Sequence, residues 1–207
     1  MVKGLGSVEI GKVRHSDTLN NESANAKLCG QGCHIAFFLD ESKAEDDLDR
    51  YYSETTCDGD ADSIAFEVPK HWHKLHDEYM TVEEGELEFY LDGTTSLVKP
   101  GDPMIKIPRR AVHSIKWPTG KRATLRERTN PTGPFKQRFF EDMFGGKGFG
   151  LTMRAFADGD TYIPLPGNLR LLDEVFMFFV GIIASILYPR KEKPASKPTA
   201  LDAKKAD

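Results

Sequence analysis

Chemistry in this sequence concentrates in His71, His73, Glu78 and His113. His71 and His73 are two residues apart, so on a strand both imidazoles face the same side. Glu78 follows after four intervening residues, room for a tight turn that sets a carboxylate opposite the two nitrogens. His113 can return to that face if the intervening chain folds as hairpins. Three imidazoles and a carboxylate leave one or two open positions on a six-coordinate ion. Such a mixed nitrogen and oxygen set suits iron(II), manganese, nickel, copper or zinc.

The elements that would position these residues are short strands. Residues 34–39 (HIAFFL) form an apolar run of strand length, and 40–50 (DESKAEDDLDR) read as a solvated acidic segment. Residues 63–68 (SIAFEV) alternate and are expected to end as a strand at Pro69. Further strand signals follow at 78–82, 86–91, 94–98, 104–107, 112–117 and 123–129. Turns at Glu84-Gly85, Asp92-Gly93, Pro100-Gly101 and Pro118-Thr119-Gly120 separate them, and Asp92-Gly93 is a strong hairpin signal. Many short strands at this spacing predict an all-β sandwich or barrel.

Two stretches in this region resemble the two motifs of the cupin superfamily. His71-x-His73-x4-Glu78-x6-Gly85 looks like the first, and Gly101-Asp102 with Ile107-Pro108-x4-His113 resembles the second. The resemblance implies a small cupin-type double-stranded β-helix, a jelly-roll barrel, with C-terminal helices added. It also carries over His71, His73, Glu78 and His113 as ligands of a divalent metal ion, with Glu78 as ligand or catalytic base. The sequence departs from the pattern at Ala65, where the family has Gly, and at Pro108-Arg109-Arg110, where it has Pro-x-Gly. Trp117 replaces a smaller family residue. By period two it shares a face with His113 and Ile115, so Trp117, Ile115 and Met80 are the expected pocket residues.

The expected organisation is an arm at 1–30, a cupin barrel at 31–130, a helical extension at 131–188 and a disordered basic tail at 189–207. Residues 134–144 (PFKQRFFEDMF) open on proline and stop at Gly145-Gly146, with Phe135, Phe139 and Met143 on one apolar stripe. Residues 145–150 (GGKGFG) lack the ending of a phosphate loop and read as a flexible connection between helices. Residues 169–188 form a second helix candidate. Its stretch 175–188 (VFMFFVGIIASILY) is uncharged, shorter than a spanning helix, and followed by Arg190, Lys191 and Lys193. Its apolar surface is expected to be only partly covered by its own barrel, leaving a dimer partner or a membrane surface as the alternatives.

A hydrophobic fraction of 39% and a charged fraction of 29% fit a soluble globular chain. A net charge of −4 without a basic, aromatic-interleaved stripe argues against nucleic-acid binding. Residues 1–10 lack the apolar run of a signal peptide. Three cysteines, Cys29, Cys33 and Cys57, are a sparse, odd count that argues for a reducing, cytoplasmic compartment. Cys29-x3-Cys33-His34 lacks the further ligands of a zinc site. His76 lies three residues from His73, which predicts a turn or the opposite face. Arg109 and Arg110 read as solvated loop charges. The functional expectation is a metal-dependent enzyme of oxygenase, isomerase or cyclase type acting on a small organic molecule, as a homodimer. The alternative is a non-catalytic small-molecule-binding cupin with a structural metal.

Overall fold

The computed structural model describes residues 27–30, 32–60, 66–145 and 148–189. Most of the expected arm, the strand start at 63–65 with Ala65, and the expected tail beyond Pro189 lie outside those residues. The strands are β1 (Lys27–Gly30), β2 (Cys33–Leu39), β3 (Tyr51–Cys57), β4 (Glu67–His73), β5 (Asp77–Glu84) and β6 (Leu87–Leu91). They continue as β7 (Thr94–Val98), β8 (Ile105–Ile107), β9 (His113–Lys116), β10 (Ala123–Asn130) and β11 (Thr161–Tyr162). The helices are α1 (Phe135–Gly145), α2 (Phe149–Asp158) and α3 (Arg170–Leu187).

The strands form two antiparallel sheets. One has the order β1-β2-β3-β10-β5-β8, the other β11-β4-β9-β6-β7. Side chains alternating along these strands meet in a core that includes Leu87, Phe89, Ile107, Ile115, Trp117 and Leu125. The Asp92-Gly93 turn joins β6 to β7 with Leu91 opposite Thr94. Both turn residues have positive φ, 42° and 99°, as a two-residue hairpin requires. Gly85, the last residue of the first motif, is needed for a second reason. Its φ is +75°, and a Cβ there would lie 2.3 Å from the carbonyl oxygen of Arg122.

Three expectations are corrected here. The strand around Pro69 does not end there: β4 runs on to His73, and the pairing with β9 shifts register between Val68 and His71. That irregularity lets a residue without an N–H sit inside a strand. The connection expected at 145–150 is shorter, because Phe149 and Gly150 already belong to α2. Cys33 and Cys57 form a disulfide, a pairing that the sparse cysteine count did not predict. β2 and β3 pair with Cys33 directly opposite Cys57 at a Cα separation of 4.0 Å, close enough for the bond. Arg109 and Arg110 are not free loop charges. Arg109 ion-pairs with Asp77, and Arg110 adopts φ 67°, donates its backbone N–H to the carbonyl of His73 and pairs with Glu174 of α3 at 2.7 Å.

Helix α3 is fixed to the second sheet through a buried polar knot. Trp72 Nε1–H donates to Asp173 at 2.9 Å, and the backbone N–H of Leu165 donates to the same carboxylate at 2.8 Å. The Trp72 ring stacks on Tyr162, with centroids 4.3 Å apart. Among the described residues, no helix is long and apolar enough to cross a membrane.

Candidate metal centre

The two sheets deliver different ligand types to one place. His71 and His73 come from the end of β4, and His113 from β9, where it lies directly opposite His71. Glu78 comes from β5 in the other sheet, between Thr129 of β10 and Ile107 of β8. All four are buried, and one candidate ligand atom from each lies within 4.8 Å of the others.

Backbone carbonyls set the orientation of the three imidazoles. Nδ1–H of His71 donates to Pro69 at 2.8 Å, that of His73 to Asp160 at 2.9 Å, and that of His113 to Ala111 at 3.1 Å. A proton held at each Nδ1 leaves Nε2 with a bare lone pair. Nε2 of His73 and of His113 then approach Glu78 to 3.0 and 2.9 Å. Neither approach is aligned as a hydrogen bond, and both nitrogens, with Oε2 of Glu78, are buried without a hydrogen-bond partner. Lone pairs facing a carboxylate repel one another, and an ion between them would relieve that repulsion, so the group could hold a cation. Three nitrogen donors, each braced from behind by a backbone carbonyl, and a carboxylate fit a divalent transition metal.

The electrostatics agree. Burial lowers His73 to a pKa of about 4 and His71 well below its ordinary value, with the neighbouring imidazoles adding to the effect at His71. Both are therefore neutral donors at neutral pH. Burial would raise Glu78, but His73, Lys136 and His113 outweigh it and keep the carboxyl well below its usual range.

Four nearby groups escaped the sequence reading. His76 is the first: it does lie on the connection between β4 and β5, but it faces inward. Its ring stacks on His73, and its Nε2 lies 3.7 Å from Glu78. Asp160, with φ 60°, receives the Nδ1–H of His76 at 3.0 Å and the backbone N–H of Leu75 at 2.8 Å. Burial disfavours a charged His76, yet the hydrogen bond to Asp160 and the nearby Glu78 carboxylate raise its pKa. With its carboxylate so engaged, Asp160 braces the loop. The remaining two are Lys136 of α1 and Glu127 of β10. The Lys136 ammonium contacts Glu78 and lies 2.9 Å from Glu127. Burial works against that charge, but Glu127 and Glu78 raise its pKa; burial in turn raises Glu127. The signal for Glu127 was an acid two residues from Leu125 on an inward-facing strand, whereas Lys136 sits beside an apolar helix stripe with nothing to mark it.

The cluster opens onto a cavity of about 410 Å³. Trp117, Ile115 and Met80 line it, as do Phe139, Phe140 and Met143 of α1. Trp117 is fully buried, packed against Phe66, and so belongs to both core and cavity wall. A larger groove of about 730 Å³ runs along α2 and α3 and contains none of the four candidate ligands.

Residues 65–125 match the family model described as Cupin domain. No curated protein matches the chain. Among solved structures, KdgF from Halomonas sp. is similar at 18% identity and a TM-score of 0.40, covering 52% of this chain and 88% of that one. The cupin domain of Schizosaccharomyces pombe Cnp3 is similar at 19% identity and a TM-score of 0.39, covering 61% and 79%. An RmlC-like cupin from Shewanella frigidimarina is similar at 17% identity and a TM-score of 0.40, covering 57% and 93%.

Proposed function

We propose, from the match of residues 65–125 to the Cupin domain model, that the chain is a metal-dependent cupin enzyme of oxygenase or isomerase type. Its substrate would be a small, largely apolar molecule with an oxygen-bearing or anionic head group. One observation carries this reading: bare imidazole nitrogens and a carboxylate converge at the wall of an apolar cavity. The same proposal takes the two sheets as halves of a closed jelly-roll barrel around that cavity.

His71, His73, Glu78 and His113 would hold the ion. A divalent ion bound there supplies Lewis-acid or redox chemistry to a substrate oxygen. Lys136 offers an ammonium to an anionic head group. Glu127, raised by burial, is suited to hold a proton at the cavity wall, and Glu78 to accept one if it releases the ion. The aromatic side chains of α1 exclude water from the apolar part of the substrate.

A second reading, a non-catalytic binding protein with a structural metal, is favoured by one contact. Lys136 already occupies an oxygen of Glu78, which suits a closed ion pair better than an open coordination position. Elemental analysis of protein purified without added metal tests the centre. One divalent ion per chain is expected, lost in His73→Ala and retained in Trp117→Ala; equal metal content in wild type and His73→Ala removes the proposal. Dioxygen uptake or product formation by the loaded protein with lipophilic carboxylic acids separates the readings, since a binding protein returns these ligands unchanged.

A further inference from the structure

Every charged residue of α3 is engaged inward at its first turns. Asp173 holds Trp72, Glu174 holds Lys74 and Arg110, and Arg170 donates to the carbonyl of Arg110 at 2.9 Å. From Val175 to Tyr188 there is no charge at all. Along that stretch the helix rests on the body by a narrow seam. Met177 and Ala184 are buried, and Gly181 approaches α2 so closely that a Cβ there would lie 2.8 Å from the Cβ of Ala157. The small residues thus face inward. The opposite side carries Phe178, Phe179, Ile183, Ile186 and Leu187, each more than half exposed. At ~100° per residue, the exposed apolar positions span about 180° of the helix, wider than the roughly 100° stripe of a helix docked on a globular core.

We propose that this face of α3 docks onto an anionic lipid bilayer, lying in the interface without crossing it. The charge distribution selects that occupant. Residues 190–207 hold six Lys or Arg against three Asp or Glu, whereas the whole chain holds 28 against 32. The basic surplus therefore follows directly on the apolar helix, where it meets anionic head groups. A second copy of the chain fits less well. Helix pairing favours small residues at the contact, and those of α3 are already used against α2. The inference is independent of the metal centre.

Flotation of the full chain with vesicles tests it. The protein should float with mixed phosphatidylcholine–phosphatidylserine vesicles and fail to float with phosphatidylcholine alone. Reversing two cations, Lys191→Glu with Lys193→Glu, should weaken partitioning at least about ten-fold without altering the folded body. Phe178→Glu with Ile183→Glu, both on exposed positions, should abolish flotation while the circular dichroism spectrum stays unchanged. Equal flotation on both vesicles, or insensitivity to the lysine reversals, overturns the anionic assignment. Absence of flotation overturns the proposal. A dimer that Phe178→Glu dissociates would then identify a second copy as the occupant, and a monomer would mean that the chain's own remaining segments cover the face.

Discussion

At Glu78 two demands meet: burial opposes the negative charge, and the Lys136 ammonium beside it helps to sustain it. Lys136 serves both Glu78 and Glu127, so its removal strands two buried carboxyl groups. Lys136→Met should therefore destabilise the metal-free protein by about 3 kcal/mol, read from urea unfolding. It should also strengthen binding of a divalent ion, because the competitor for Glu78 is gone; unchanged or weaker metal affinity would show that no such competition exists. His73 supplies a pH dependence of definite sign. Its folded pKa of about 4 lies below the ordinary value near 6.5, so the unfolded state binds the proton more readily. Its contribution is fully present above about pH 6.5 and lost as the pH falls through about 4, a change on the order of 3 kcal/mol. Denaturation of the metal-free protein across that range should show the slope, and His73→Asn should flatten it.

Glycines decide the tightest turns among the strands, and not all equally. Gly85 and Gly93 both have positive φ, but only Gly85 abuts backbone, while nothing lies within 4 Å of a Cβ at Gly93. Gly85→Ala should cost at least about 3 kcal/mol, from left-handed strain plus overpacking, and Gly93→Ala about 1 kcal/mol. Equal midpoints for the two variants in thermal unfolding would refute this account. Such turns, with their flanking alternation, were legible in the sequence, and so were the β6–β7 hairpin, α1 and α3. Pro69 was misread because a register shift, a property of the partner strand, absorbs it. β3 (YYSETTC) escaped because it carries no apolar alternation, and its pairing with β2 and β10 is a long-range property. The four candidate ligands were legible as a spaced set. Asp160, Lys136 and Glu127 reach the centre only through tertiary packing of α1, β10 and the end of α2, and local spacing has no record of that. His76 lies on a turn, one of the two placements its spacing allowed, but its inward orientation was not legible because strand periodicity does not apply to a turn.

Across the whole molecule, the candidate centre joins the sheets, with three imidazoles from one and the carboxylate from the other. An ion bound there would favour the folded state by mass action. Stability should rise by about 2.7 kcal/mol at a free metal concentration one hundred times the dissociation constant. His73→Ala should show no such rise in thermal unfolding with and without metal. The chain also holds just two tryptophans, and they stand at two different stations. Trp117 borders the cavity, while Trp72 is held by Asp173 at the root of α3, with the guanidinium groups of Arg110 and Arg170 over its ring. The protein therefore contains two tryptophan fluorophores with separate addresses. With Trp117→Phe, the remaining emission follows the seating of α3; with Trp72→Phe, it follows what enters the cavity, and neither event needs an attached dye to be seen.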